Sequence, residues 1–190
     1  SKSKIQIFAT YEEHSLYSPV ALSIDIEGNF MVTESYRSDR VPDTRDHPYW
    51  LMDDIADTTA NDRRKLHRKW NHKYPMGKMG ERSEKIRLLR DTDNDGVADR
   101  NTIYAEGFDD PLDGIAGGVF TLDDRVFFAC IPNIWSLRDT NSDGRADERM
   151  KLFSGFGPRI SLAGHDLAGF ALGPDGRLYG SVGDRSMNVA

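Results

Sequence analysis

DTDNDGVAD at residues 91–99 and DTNSDGRAD at residues 139–147 are two copies of one acidic loop, offset by 48 residues, and they decide the fold. In the first copy Asp91, Asp93 and Asp95 supply side-chain oxygens at alternate positions, Gly96 follows, and Asp99 closes the run. In the second, Asp139, Asn141, Asp143, Gly144 and Asp147 hold the same places. Alternating oxygens before a glycine that lets the backbone turn are the start of a cage for a hard cation, calcium above all. The residue after the glycine, Val97 or Arg145, would add its carbonyl. Neither loop is an EF-hand, because Thr102 and Met150 stand where the bidentate glutamate belongs, and the flanks alternate like strands. Asp, Asn and Gly favour turns without any metal, but one alternation repeated in both copies points to a cation.

The repeat is longer than the loop. IRLLRDTDNDGVADRNTIYAEGF at 86–108 lies over IWSLRDTNSDGRADERMKLFSGF at 134–156, with identities at both ends. A period of about 50 residues built from short strands is the signature of propeller blades, since one such unit cannot bury its faces alone.

Alternation and β-branched content give a four-strand pattern. The clearest unit has strands at 114–121, 125–131, 133–138 and 148–154, with the acidic loop joining the third to the fourth. The unit before it has strands at 20–26, 30–35, 85–90 and 101–106. A third has only 168–172 and 177–182. The expected fold is therefore all-β: a partial β-propeller of two four-stranded blades and half of a third. A closed ring takes about 4–8 blades, so residues 1–190 read as an N-terminal fragment of a propeller domain.

Residues 37–84 interrupt the first blade. HPYWLMDDIADTTANDRRKLHRKW is helical in pattern, with Leu51, Ile55, Leu66 and Trp70 as its expected apolar stripe. His47, His67 and His72 lie here among arginines and lysines that repel a cation, so they read as solvated residues of the helix surface. Such a segment can cap the opening of a propeller and shape a pocket.

Aligning the hairpin turns of the three units puts Tyr17, Asp113 and His165 at equivalent positions before each first strand, where they would converge on the mouth of a central channel. Asp184 follows the second strand of the third unit, and its carboxylate could hold the His165 imidazole, a pairing suited to general base work. Net charge is -6, which makes nucleic acid an unsuitable partner. Mean hydropathy is -0.60, and no apolar run approaches the ~20 residues of a spanning helix. The single cysteine, Cys130, excludes an internal disulfide and reads as a buried structural thiol. Loops with few complete ligands bind calcium weakly, which suits a periplasmic or extracellular location.

Several of these runs also resemble a known family. RDTDNDGVADR, GFDDPLDGIAGGV, CIPNIWSLRDTNSDGRADE and GHDLAGFALGPDGRLYGSVGDR resemble the propeller of the heme-associated, membrane-bound dehydrogenase-like proteins of planctomycetes and their relatives. HPYWLMDD and NDRRKLHRKW resemble that family's insertion, so the likeness spans nearly the whole chain. More distantly, HDLAGFALGPDGRLYGSVGDR resembles the soluble quinoprotein glucose and sorbosone dehydrogenases, six-bladed propellers that bind pyrroloquinoline quinone (PQQ) and calcium. That resemblance implies His165 as the base for a sugar or alcohol hydroxyl and Asp184 as the residue orienting it; the alignment of the hairpin turns, separately, would set Tyr17 and Asp113 beside a cofactor at the channel mouth. The resemblance also implies a c-type heme outside this chain, on downstream domains of the same polypeptide, because CxxCH is not found here. Ala168 stands where closer relatives carry a second histidine, and the basic residues that hold the quinone belong to later blades. The alternative is a calcium-stabilised propeller that binds a glycan or a protein and does no chemistry. The acidic loops lie on outer hairpins, so their calcium would be structural.

Overall fold

The computed structural model describes residues 5–40, 42–160, 165–183 and 186–189. Among the described residues ten strands form three antiparallel sheets of four, four and two strands, taken in chain order. The first holds β1 (Pro19–Ile24), β2 (Phe30–Glu34), β3 (Glu84–Arg90) and β4 (Arg100–Phe108). The second holds β5 (Val119–Leu122), β6 (Arg125–Cys130), β7 (Asn133–Arg138) and β8 (Glu148–Ser154). The third holds β9 (Leu167–Leu172) and β10 (Leu178–Val182). Each acidic loop joins the third strand of a sheet to its fourth, as the repeat implies.

The first strand of the second unit is shorter than 114–121. Residues 114–118 still exchange backbone hydrogen bonds with Ile131 and Ala129, but they also press on the third sheet. A Cβ at Gly117 would come within 2.3 Å of the Leu167 carbonyl oxygen, and one at Gly118 within 3.0 Å of the Gly169 amide. Glycine is kept where two backbones approach this closely, and the regular ladder gives way there.

The main core lies between the first two sheets. Met31, Ile86, Leu88, Tyr104, Ala105 and Phe108 pack against Ala116, Val119, Val126, Phe128, Cys130 and Leu137. Phe108 and Phe128 meet edge to face at 4.8 Å, the geometry that aligns a positive ring edge with a negative face. At the inner strands polar contacts continue the seam: Ser23 Oγ lies 2.9 Å from Thr121 Oγ1, and Thr33 Oγ1 donates to the Gly117 carbonyl.

Glu84, fully buried at the start of β3, joins the pieces. Its Oε1 accepts from the amides of Tyr36 and Arg37, and its Oε2 accepts from the Ala116 amide at 2.7 Å. One carboxylate thereby fixes the exit of β2 and the approach to the second sheet. A second buried carboxylate, Glu34, accepts from the Tyr17 amide and from Arg87 Nε at 2.9 Å.

A short helix α1 (Tyr11–His14) precedes β1, and between β2 and β3 the chain forms helices α2 (Leu51–Ala56), α3 (Ala60–Lys69) and α4 (Met76–Met79). The expected inward stripe holds at Leu66 and Trp70 and fails in α2. Leu51 and Ile55 are exposed, while Trp50 and Asp54 are buried one turn apart. Asp54 Oδ1 accepts the Ile160 amide at 2.6 Å, and Trp50, Leu66 and Ile160 close a small cluster. The polar anchor and the larger ring set the helix rotation, turning the smaller aliphatics to water. His67 is also buried, not solvated, whereas His72 is exposed. Among the described residues no helix is long and apolar enough to cross a membrane.

Replacing Glu84 should test the joint. Glu84→Ala leaves three buried amides without an acceptor and should lower stability by about 3 kcal/mol or more. Glu84→Gln, which keeps one acceptor oxygen, should cost about 1–3 kcal/mol. Urea unfolding of the variants measures both, and a near-neutral Glu84→Ala would show that the carboxylate does not hold the sheets together.

Candidate functional site

The two acidic loops fold alike. Asn94 and Gly96 have φ of 62° and 89°, and Ser142 and Gly144 have φ of 62° and 86°. In the first loop Asp91 Oδ2 accepts from the Gly96 amide at 2.9 Å and Asp95 Oδ1 from Val97 at 2.8 Å. In the second, Asp139 Oδ2 accepts from Gly144 at 2.7 Å and Asp143 Oδ1 from Arg145 at 2.8 Å. Asp99 and Asp147 each accept from the threonine amide and hydroxyl at the second position.

Carboxylate oxygens of Asp91, Asp93 and Asp99 lie within 4.8 Å of one another, a group that could hold a metal ion. Asp95 stands outside that triad, and its side chain accepts the Val97 amide. The second loop resolves the same crowding differently. Asn141 Oδ1 accepts from Asp143, which turns Nδ2 toward Asp147 Oδ1 at 3.2 Å. An amide donor thus sits in the second loop where the first sets carboxylate against carboxylate, a repulsion that a cation relieves.

A second polar group lies where α3 crosses the approach to the second sheet. Arg63 Nη2 donates to the Leu112 carbonyl at 2.7 Å, and Arg64 pairs with Asp110 at 3.0 Å. The Arg63 guanidinium interacts with Asp166, Asp113, Asp54 and Asp57. Asp113 is buried, accepts the Asp110 amide at 3.0 Å, and lines a cavity of about 10 Å³ with Arg37, Arg63 and His67. That volume suits one water molecule. Burial pushes the Asp113 carboxyl up to about 6, against the pull of Arg37. Burial, with Asp54 and Asp62 nearby, pushes Asp57 up to about 7. Burial beside Arg63 and Arg64 holds the His67 imidazole down at about 3. Sequence spacing did not reveal this cluster, since its members come from the insertion and from two sheet-entry segments.

Tyr17 is exposed and stacks on Tyr36 at 4.7 Å between ring centroids. His165 is exposed just before β9. Neither reaches the cavity that Asp113 lines. Asp184 lies outside the described residues. Cys130 is buried, with its thiol pushed well up by burial, and behaves as packing.

A cleft of about 530 Å³ runs between the second and third sheets and includes Ile134, Leu152, Phe153 and Phe156. The 48-residue repeat maps these onto Ile86, Tyr104, Ala105 and Phe108, all buried between the first two sheets. The cleft is therefore an intersheet seam, open where the third sheet has only two strands.

The sequence matches DUF7133, a domain of unknown function, over residues 2–190. The chain belongs to this family. No curated protein matches it. Among solved structures it is similar to an oxidoreductase of Thermus thermophilus assigned provisionally as a glucose dehydrogenase, at 18% identity and a TM-score of 0.44. The match covers 88% of this chain and 40% of that one, so this chain spans less than half of that protein's length.

Two measurements follow from this geometry. Calcium titration by calorimetry should show tighter binding at the Asp91 loop than at the Asp139 loop. Asp93→Asn should weaken the first, Asn141→Asp should strengthen the second, and unchanged affinities would exclude the triad as ligands. The second concerns acidity. The raised carboxyls of Asp57 and Asp113 stabilise the fold fully below their unfolded values, and this contribution fades as pH rises through about 6–7. His67, held down, acts oppositely and costs stability as pH falls below its unfolded value. Thermal melts should therefore fall as pH rises from about 4 to about 7, with His67 offsetting part of the slope below its own unfolded value. In the Asp57→Asn, Asp113→Asn double variant the slope should flatten, leaving the opposed contributions of His67 and of Glu84, whose carboxyl burial also raises.

Proposed function

We propose that this chain is the propeller portion of a quinoprotein-like sugar or alcohol dehydrogenase that works outside the cytoplasm and passes electrons to a c-type heme elsewhere on the polypeptide. The observation that carries this reading is the succession of antiparallel sheets of four, four and two strands, with Tyr17, Asp113 and His165 each preceding a first strand. The family resemblance of the HDLAGFALGPDGRLYGSVGDR run supports it.

His165 is solvent-accessible, as a base that meets a diffusing hydroxyl substrate must be. In this reading its imidazole accepts the hydroxyl proton, and Asp184 orients the ring. Asp113 and Tyr17 would shape the surroundings. PQQ carries three carboxylates and needs cations around it. The two arginines near Asp113 are already turned to carbonyls: Arg37 donates to Phe108, Met79 and Asp110, and Arg63 to Leu112. Arg37 and Arg63 are therefore not placed to hold the quinone carboxylates. Cations from other blades would have to hold them. Calcium in the loops at Asp91 and Asp139 would brace the outer hairpins.

One observation favours a second reading, a calcium-stabilised propeller that binds a glycan or protein without chemistry. It is the same commitment of the Arg37 and Arg63 Nη atoms to backbone carbonyls, which turns these two cations away from a redox cofactor.

In the full-length protein supplied with PQQ, His165→Ala should lower kcat for dye reduction by about 10²–10⁴ with melting unchanged. Undiminished activity would remove His165 as the base. Absence of quinone binding in the wild type would favour the binding module.

A further inference from the structure

Residues 5–9 run alongside the first acidic loop, and their contacts repeat those of a strand. The Phe8 carbonyl accepts the Ala98 amide at 2.9 Å, and the Tyr104 carbonyl accepts the Ala146 amide at 2.8 Å. Ala98 and Ala146 are equivalent positions of the two loops. Two residues earlier the correspondence continues. A Cβ on Gly96 would meet the Gln6 side chain at 3.2 Å, and one on Gly144 would meet the Thr102 side chain at 3.6 Å.

The packing matches as well. Phe8 packs on Val32, Leu89 and Ala98, and Tyr104 belongs to the cluster of Phe128, Leu137 and Ala146. Leu89 and Leu137 are partners in the 48-residue repeat. Val32 pairs across its sheet with Arg87, and Phe128 pairs with Trp135, the repeat partner of Arg87. Phe8 therefore stands to the first sheet as Tyr104 stands to the second. Tyr104 lies in β4, the outermost strand of the sheet before.

We propose that residues 5–9 are the outermost strand of a further four-stranded sheet that packs on the first, with its three inner strands supplied by another stretch of the same polypeptide. The inference rests on the ring-of-sheets reading above, in which the last sheet must lie beside the first. Its surroundings are prepared for such a neighbour. Leu22 and Ile24 lie on one face of β1, and both are exposed. Leu22 pairs with Val32 as Val119 pairs with Phe128, yet Leu22 is 60% exposed and Val119 only 4%. The first sheet covers Val119, and nothing among the described residues covers Leu22. Ile5 and Ile7 point away from Phe8's side and are 96% and 71% exposed. Among the described residues the backbone amides of residues 5–9 donate to no backbone carbonyl. Exposed apolar residues beside a bare strand edge are what a sheet with alternating apolar residues would cover.

Hydrogen exchange on the longest natural polypeptide that carries this chain tests the assignment. Alternate amides in residues 5–9 should exchange about 10²-fold or more slower than in an unstructured peptide, as those of β4 should. Deleting residues 1–9 should lower the melting temperature by roughly 5 °C or more, and a synthetic peptide of residues 1–10 added in trans should restore it. Phe8→Ala, a milder change, should reduce the same protection without unfolding the chain. Unprotected amides at 5–9 with β4 still protected would overturn the inference and leave the ring reading standing. Loss of protection in β4 itself would sink that reading. Protection that appears only with dimers in light scattering would assign the inner strands to a second copy, against the proposal.

Discussion

The structure depends on a sheet face that no single unit can bury. Each repeat makes a four-stranded sheet with apolar residues on both sides, and the cost of exposing them is relieved only when the next sheet lies on top. Met31, Ile86, Leu88, Tyr104 and Phe108 are buried because Val119, Val126, Phe128 and Leu137 arrive from the following repeat. At about 25 cal/mol per Å² of apolar surface removed from water, such a seam is the dominant favourable term. The open cleft beside Leu152 and Phe153, and the exposed Leu22 and Ile24, are the same constraint unmet on the outer faces of the described sheets.

Buried polar groups then decide how the pieces are joined. Glu84 ties the end of β2 to the glycine-rich approach of the second sheet, and Asp54 ties α2 to Ile160. Arg63 ties α3 to Leu112 amid several carboxylates. Each group is desolvated, so each geometry is enforced by the penalty for leaving a donor or acceptor unmet. The helical insertion is consequently held over the end of the sheets where Asp113 lies, rather than projecting into solvent.

Much of this was legible in the sequence. The acidic loops and the 48-residue offset gave the third and fourth strands almost to the residue, because a turn with fixed oxygens and a glycine at fixed spacing has one backbone path. The first strand of the second sheet was read too long, since the close approach of Gly117 and Gly118 to the third sheet is a tertiary event. The rotation of α2 was misread for a related reason: Asp54 points inward only because Ile160 offers an amide there. The cluster of Arg63, His67 and Asp113 joins residues far apart in the chain, and no local pattern marks it. The role of residues 5–9 became visible only when Phe8 and Tyr104 could be compared in space.

The account stands on the packing of one repeat against the next, and a double-mutant cycle on Phe108 and Phe128 measures it most directly. Unfolding free energies of the wild type, Phe108→Leu, Phe128→Leu and the double variant give the coupling. Edge-to-face packing across the seam predicts a coupling of about 0.5–1.5 kcal/mol. Strictly additive losses would mean that the two rings do not touch and that the sheets are not stacked as described.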